Sequence, residues 1–170
     1  MTLEVVSQAK SFGGHQGVYR HASRETDTPM TFSVYLPPQA AQAGARLPVV
    51  WWLSGLTCTH ANVTDKGRVQ RACAELGLIF VAPDTSPRGE GVADDPAYDF
   101  GQGAGFYLDA TQAPFAANYR MESYLTAELP DLIAAQFPVD MTRQGITGHS
   151  MGGHGALTLA LKHPGRWTSV

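Results

Sequence analysis

The sequence predicts an α/β fold, a mostly parallel sheet with helices on both faces. Two near-continuous apolar runs, residues 48–53 and 78–83, have the composition of strands buried on both faces. Segments of helical composition, residues 66–76, 119–137 and 153–162, alternate with them, and such alternation builds a parallel sheet with covered faces. The third observation is Gly148-His149-Ser150-Met151-Gly152, a G-x-S-x-G string between a β-leaning stretch at 143–147 and the last helical segment.

The elements follow in order. Val5, Val6, Phe12, Val18 and Tyr19 mark one or two N-terminal strands. Thr31-Phe32-Ser33-Val34-Tyr35-Leu36 alternates polar and apolar residues and stops at Pro37-Pro38, the pattern of an antiparallel strand. Residues 39–46 read as a surface loop before the first buried run. Thr64-Asp65 is placed to cap a helix over 66–76 that Gly77 ends, with Cys73 in its packed face. The Gly- and Asp-rich residues 85–118 form excursion loops above the sheet. Residues 119–137 carry Met121, Tyr124, Leu125, Leu129, Leu132 and Ile133 at helical spacing, and Pro130 is expected to kink or split that helix.

Composition narrows the function. The chain has 170 residues, 44% of them hydrophobic and 16% charged, which suits a soluble domain with a real core. A net charge of −3 leaves no footprint for nucleic acid. No basic region followed by an apolar stretch opens the chain, and its longest apolar run, 47–56, is too short for a bilayer. A cytoplasmic protein without membrane contact is expected. Cys58 and Cys73 lack metal spacing and read as free thiols. No cofactor or metal is expected. His15, His21 and His60 read as surface residues, and Gly101-Gln102-Gly103-Ala104-Gly105 reads as tight turns rather than a phosphate loop.

The G-x-S-x-G string carries chemistry. In a strand–turn–helix setting it forms a nucleophile elbow, in which the serine is held in a strained conformation with its hydroxyl exposed. Gly148 and Gly152 fall where strand and helix backbones nearly touch. Ser150 is therefore the candidate nucleophile. The amide of Met151 is one candidate oxyanion donor. The second is the amide of Leu56, in the turn Leu53-Ser54-Gly55-Leu56-Thr57 that follows a buried strand. Cys58 would lie close to that pocket.

After Ser150 the chain has no Asp or Glu, and its histidines, His154 and His163, read as helix-surface or packed residues rather than a base. An Asp or Glu and then a His follow the serine in this architecture. Residues 1–170 thus read as the N-terminal part of one hydrolase domain, truncated on the C-terminal side. The triad Asp and His would be absent, and a strand edge and apolar face near Trp167 to Val170 would lie open.

These stretches resemble the S-formylglutathione hydrolases, the esterase D family of α/β-hydrolases. The resemblance rests on Trp52-Leu53-Ser54-Gly55-Leu56-Thr57-Cys58-Thr59, on residues 100–111 with Gly103-Ala104-Gly105-Phe106-Tyr107, on Asn118-Tyr119-Arg120-Met121, on Glu128-Leu129-Pro130 and on residues 148–156. It implies the α/β-hydrolase fold and hydrolysis of a small-molecule thioester, S-formylglutathione, to glutathione and formate. By position it implies Ser150 as nucleophile and Leu56 and Met151 as oxyanion donors, and it leaves room for a homodimer. One departure is Phe115-Ala116-Ala117, where the family usually has Trp and polar residues. A general short-chain carboxylesterase or acyltransferase, and an inactive scaffold that only binds, are the competing readings.

Overall fold

Three antiparallel strands open the chain: Glu4–Ser11 (β1), Gly14–Ala22 (β2) and Pro29–Leu36 (β3). β2 alternates buried and exposed residues and β3 is almost wholly buried, so the meander carries one face into the core while β1 forms an outer edge. Leu47–Leu53 (β4), Ile79–Pro83 (β5) and Val139–Gly148 (β6) complete the sheet. The computed structural model describes residues 2–170, and its sheet runs β1-β2-β3-β5-β4-β6.

The sheet is mixed. Strands β1, β2, β3 and β5 pair antiparallel, and the parallel pairings expected from the sequence are those of β4 with β5 and with β6. β5 is buried throughout. β4 is central but buries one face fully and the other only in part: Val49, Trp51 and Leu53 are in the core while Val50 and Trp52 are half-buried.

Helices cover both faces. Val63 and Cys73, from the first two helices, pack with Tyr35, Phe80 and Ala82. Burial there pushes the Cys73 thiol up to about 11, which leaves it an inert packing group. On the opposite face Leu129 and Ile133 of Leu129–Gln136 (α4), and Ala156 and Leu159 of Met151–Lys162 (α5), pack on Trp51, Leu53 and Val81.

Two helices differ from expectation. The segment read as one helix over 66–76 is a pair, Ala61–Lys66 (α1) and Val69–Leu76 (α2), broken at Arg68, whose φ is 52°. Thr64 does not cap; its hydroxyl donates back to the carbonyls of His60 and Ala61 within α1. Gly77 does end α2, in the left-handed region at φ 67°. The long helix begins as Met121–Ser123 (α3), widens by one residue per turn over Tyr124–Glu128, and continues as α4. Pro130 lacks an N–H and its ring would strike the carbonyl four residues back; the widened turn just before it absorbs both defects.

The edge near Trp167 to Val170 is partly covered. Thr168 N–H donates to Gln144 O at 2.7 Å and Ile146 N–H donates to Ser169 O at 3.0 Å, one parallel bridge alongside β6. Apolar surface is open beside it on α5, where Leu157 and Leu161 are 60% and 82% exposed.

His21 is not a surface residue. It is buried, its ring stacks on Tyr124 at 5.7 Å, and its Nε2 lies 3.1 Å from the Tyr124 hydroxyl. His60 is half-buried with Nδ1 2.7 Å from Ser33 Oγ. In each, burial lowers the pKa. His15 is exposed, as expected.

Beside His21, the buried Glu128 carboxylate accepts from Ser23 Oγ at 2.6 Å, Arg24 N–H at 2.8 Å and Glu25 N–H at 3.0 Å. That ties the β2–β3 connection to the widened turn. Burial alone would raise this carboxyl; the three donors and His21 outweigh it and hold the pKa below the ordinary glutamate range. The sign follows directly. The folded state favours the ionised form, so this stabilisation is complete above the ordinary glutamate range and is lost as pH falls through the lowered pKa. Glu128→Ala is expected to cost about 1–3 kcal/mol at neutral pH, and the gap between the variant and its parent should close in thermal unfolding scans as the pH is lowered toward 3.

Candidate active site

β6 ends at Gly148 and α5 begins at Met151, so two residues turn the chain from strand to helix. Ser150 takes φ 57° and ψ −121° in that turn, a conformation that costs an L-residue about 1–3 kcal/mol. The turn is held by its own backbone: His149 N–H donates to Leu53 O at 3.1 Å, Gly152 N–H to His149 O at 2.9 Å and His154 N–H to Ser150 O at 3.0 Å. A Cβ on Gly148 would stand 2.7 Å from Leu53 O, and one on Gly152 would overlap that same oxygen. Two bare backbones are therefore needed for β4, β6 and α5 to converge. Ser150 itself is exposed at the carboxyl ends of the parallel strands, where ligands bind on such sheets.

The segment after β4 passes over the serine. Gly55 is buried, and a Cβ there would lie 3.2 Å from Ser150 Cβ. Leu56, next in the chain, is half-buried, and its N–H makes no hydrogen bond among the described residues. The Met151 amide opens α5, where the first N–H groups of a helix have no partner within it and favour negative charge. Both candidate donors thus stand on segments that meet at Ser150. Cys58 is half-buried and free, and with Trp52, Gly55, Val63, Lys66 and His149 it lines a cleft of about 580 Å³ beside the serine.

The other histidines sit apart from this chemistry. His154 is exposed one turn along α5. His163, just past the end of α5, lies 3.0 Å from Glu122 Oε1, and the other oxygen of that carboxylate takes Lys162 at 2.7 Å.

Sequence reasoning missed the supports of the 54–58 turn. The Tyr107 hydroxyl donates to Ser54 O at 2.7 Å, and Thr57 N–H donates to Gly103 O at 3.0 Å. Cys58 O accepts from Thr85 Oγ1 at 2.5 Å and from Arg88 at 2.9 Å, and Arg88 Nε also donates to Asp84 at 3.0 Å. These supports come from Asp84 and from the 85–118 excursion, whose residues 100–111 entered the sequence reading as loops and as a family resemblance but not as supports of this turn. The available signal was Gly103-Ala104-Gly105-Phe106-Tyr107. Gly103 at φ 88°, Phe106 at 47° and Tyr107 at 56° make it a compact turn aimed at the site. Phe115-Ala116-Ala117 forms one short helical turn. There Phe115 meets Phe100 at 4.8 Å and Tyr119 at 5.2 Å, against an apolar cavity of about 230 Å³.

Among the described residues no three His, Cys, Asp or Glu side chains gather to hold a metal ion, and no helix is long and apolar enough to cross a membrane.

Residues 23–170 match the model of the Esterase family, described as "Putative esterase". The chain belongs to the Esterase family. It is 60% identical, along its whole length, to the S-formylglutathione hydrolase of Paracoccus denitrificans, covering 61% of that protein. It is 54% identical to the enzyme of that name from Mus musculus, covering 60% of it. The chain thus spans about three fifths of the length of these curated relatives. Its fold superposes on the S-formylglutathione hydrolase of Agrobacterium tumefaciens with a TM-score of 0.93 at 56% identity, over 96% of this chain and 58% of that one. A ferulic acid esterase at 19% identity, TM-score 0.72, shares the fold.

The convergence on Leu53 O yields a prediction. Gly152→Ala should cost more than about 2 kcal/mol, because backbone rather than a flexible side chain meets the new methyl group. Denaturant unfolding of the variant beside Gly153→Ala, whose Cβ would have room, measures the difference. Equal stabilities would mean the three segments can separate without penalty.

Proposed function

We propose that residues 1–170 carry the nucleophile and oxyanion hole of a serine thioesterase that hydrolyses S-formylglutathione to glutathione and formate. The observation that carries this reading is Ser150, exposed at φ 57° on a strand–helix turn, with the Gly55 backbone packed against it. The relatives named S-formylglutathione hydrolase support the choice of substrate.

In this reading Ser150 Oγ attacks the formyl carbon. The carbonyl electron pair moves onto oxygen, and the amides of Leu56 and Met151 hold the resulting oxyanion. The C–S bond then breaks, the sulfur leaves with the bonding pair, and the serine's proton ends on the glutathione thiol. Water hydrolyses the formyl–serine ester, releases formate and restores the hydroxyl. Thiolate is a good leaving group, so the main demands are a deprotonated serine and a placed oxyanion hole. The general base and its acid partner are supplied from outside residues 1–170. The substrate is a water-soluble thioester and the setting is the cytoplasm.

In the intact enzyme Ser150→Ala should remove the acyl-enzyme burst and lower turnover of S-formylglutathione by several powers of ten; near-normal turnover would falsify the nucleophile assignment. The ratio of turnover on S-formylglutathione to that on p-nitrophenyl acetate separates a thioesterase from a general carboxylesterase. Cys58 sits in the cleft but takes no part in the chemistry. Alkylation with iodoacetamide should therefore slow the enzyme, and Cys58→Ser should abolish that sensitivity while keeping most of the activity.

A further inference from the structure

Gly55 poses a problem that its neighbours answer. Its closeness to Ser150 Cβ leaves little room for a side chain. A glycine, however, leaves the orientation of the following peptide unit weakly determined, because little steric bias opposes rotation of its φ and ψ. The Gly55–Leu56 peptide could present its N–H or its C=O to the serine, and only the N–H stabilises an oxyanion. Its C=O accepts from Cys58 N–H at 3.2 Å, which closes a turn over residues 55–58, and the residues at the two ends of that turn are held from outside it. Ser54 O, just before the turn, is fixed by the Tyr107 hydroxyl at 2.7 Å, and Cys58 O, at its last residue, by Arg88 at 2.9 Å and Thr85 at 2.5 Å. Arg88 is itself oriented by Asp84. Tyr107 also reaches the nucleophile's helix: a Cβ on Gly155 would fall 2.5 Å from its ring. The same side chain thus touches the oxyanion turn and the element that carries Ser150. Burial, and then the nearby Asp84 charge, push its phenol pKa up, so it stays a proton donor.

We propose that Tyr107 and Arg88 are positioning residues that orient the Leu56 N–H toward the oxyanion by clamping the carbonyls on either side of it. This rests on the roles given above to Ser150 and Leu56. Neither side chain touches the reacting atoms; each acts through the 54–58 backbone.

The test uses the intact enzyme. Tyr107→Phe deletes one hydroxyl and keeps the ring against Gly155. Arg88→Gln removes the guanidinium from Cys58 O and leaves the Thr85 hydroxyl as its donor, and Arg88→Lys keeps a cationic donor there. Two quantities are read: kcat and KM on S-formylglutathione, and inhibition by an alkyl trifluoromethyl ketone that adds Ser150 to form a hemiketal oxyanion. Tyr107→Phe and Arg88→Gln should each lower kcat about 10- to 100-fold with KM within about twofold. They should weaken the ketone by the factor lost in kcat/KM, and Arg88→Lys should recover part of the loss. A kcat within about twofold of the parent overturns the proposal, as does a lower kcat with ketone inhibition unchanged. Should Tyr107→Phe fail to fold, Arg88→Gln beside Arg88→Lys decides by the same measurements. Turnover that survives Ser150→Ala overturns the nucleophile reading along with this proposal; a dead Ser150→Ala beside a parent-like Tyr107→Phe overturns this proposal alone.

Discussion

The carbonyl oxygen of Leu53 lies where three elements meet, and the rest of the site depends on that meeting. It accepts from His149 and lies so close to Gly148 and Gly152 that neither could carry a side chain. A packed core transmits small displacements because it has few voids in which to absorb them. A methyl group at this junction would push β6 or α5 away from β4, and the turn between them would relax. The cost of the Ser150 conformation is therefore met by the packing around it: the serine stays at positive φ because strand and helix leave it no other path.

The two halves of the sheet divide the work. The parallel half, β5, β4 and β6, brings the 54–58 turn, Asp84 and Ser150 to one end, since parallel strands all finish on the same side. The antiparallel half contributes burial, and through the Ser23–Glu25 contacts with Glu128 it anchors the helical run that leads into α4. The helices on opposite faces pack on different residues of β4, with Trp51 and Leu53 facing α4 and α5, and Val50 and Trp52 facing α1 and α2. An alternating strand can do this only when both of its surfaces are covered.

What could be read from the sequence was local. The alternation in β3, the buried run of β5, the glycine at the end of α2 and the strand–turn–helix around Ser150 are each stated within about ten residues, and each has a direct steric or solvation cause. What escaped reading was set at long range. The break at Arg68 is an exception: Gly67 stands beside it and ends α1, but a lone glycine costs a helix only about 1 kcal/mol and does not by itself fix a break. His21 looks like any strand histidine until Tyr124 stacks on it from 103 residues away. The widened turn before Pro130 is one of two outcomes, kink or split, between which the local sequence cannot choose. Tyr107 lay inside a stretch that matched a family, yet its hydroxyl had no evident partner, because that partner is the backbone of Ser54.

The span of those contacts has a consequence for how the protein comes into being. Ser54 and Tyr107 are 53 residues apart, and Cys58 and Thr85 are 27 apart. Contacts at such separations close large loops, and each must offset the chain entropy of closing them, so local turns and helices precede them on the way to the native state. The turn bearing the serine spans a longer loop still, since His149 bonds to Leu53 from 96 residues away, so its strained conformation also waits on distant chain. A nascent or partly unfolded chain then displays a serine without a means of stabilising charge, and its hydroxyl is no more reactive than any other on the surface. On the proposed reading, hydrolytic competence arrives last in the life of the molecule and is first to go when it loosens.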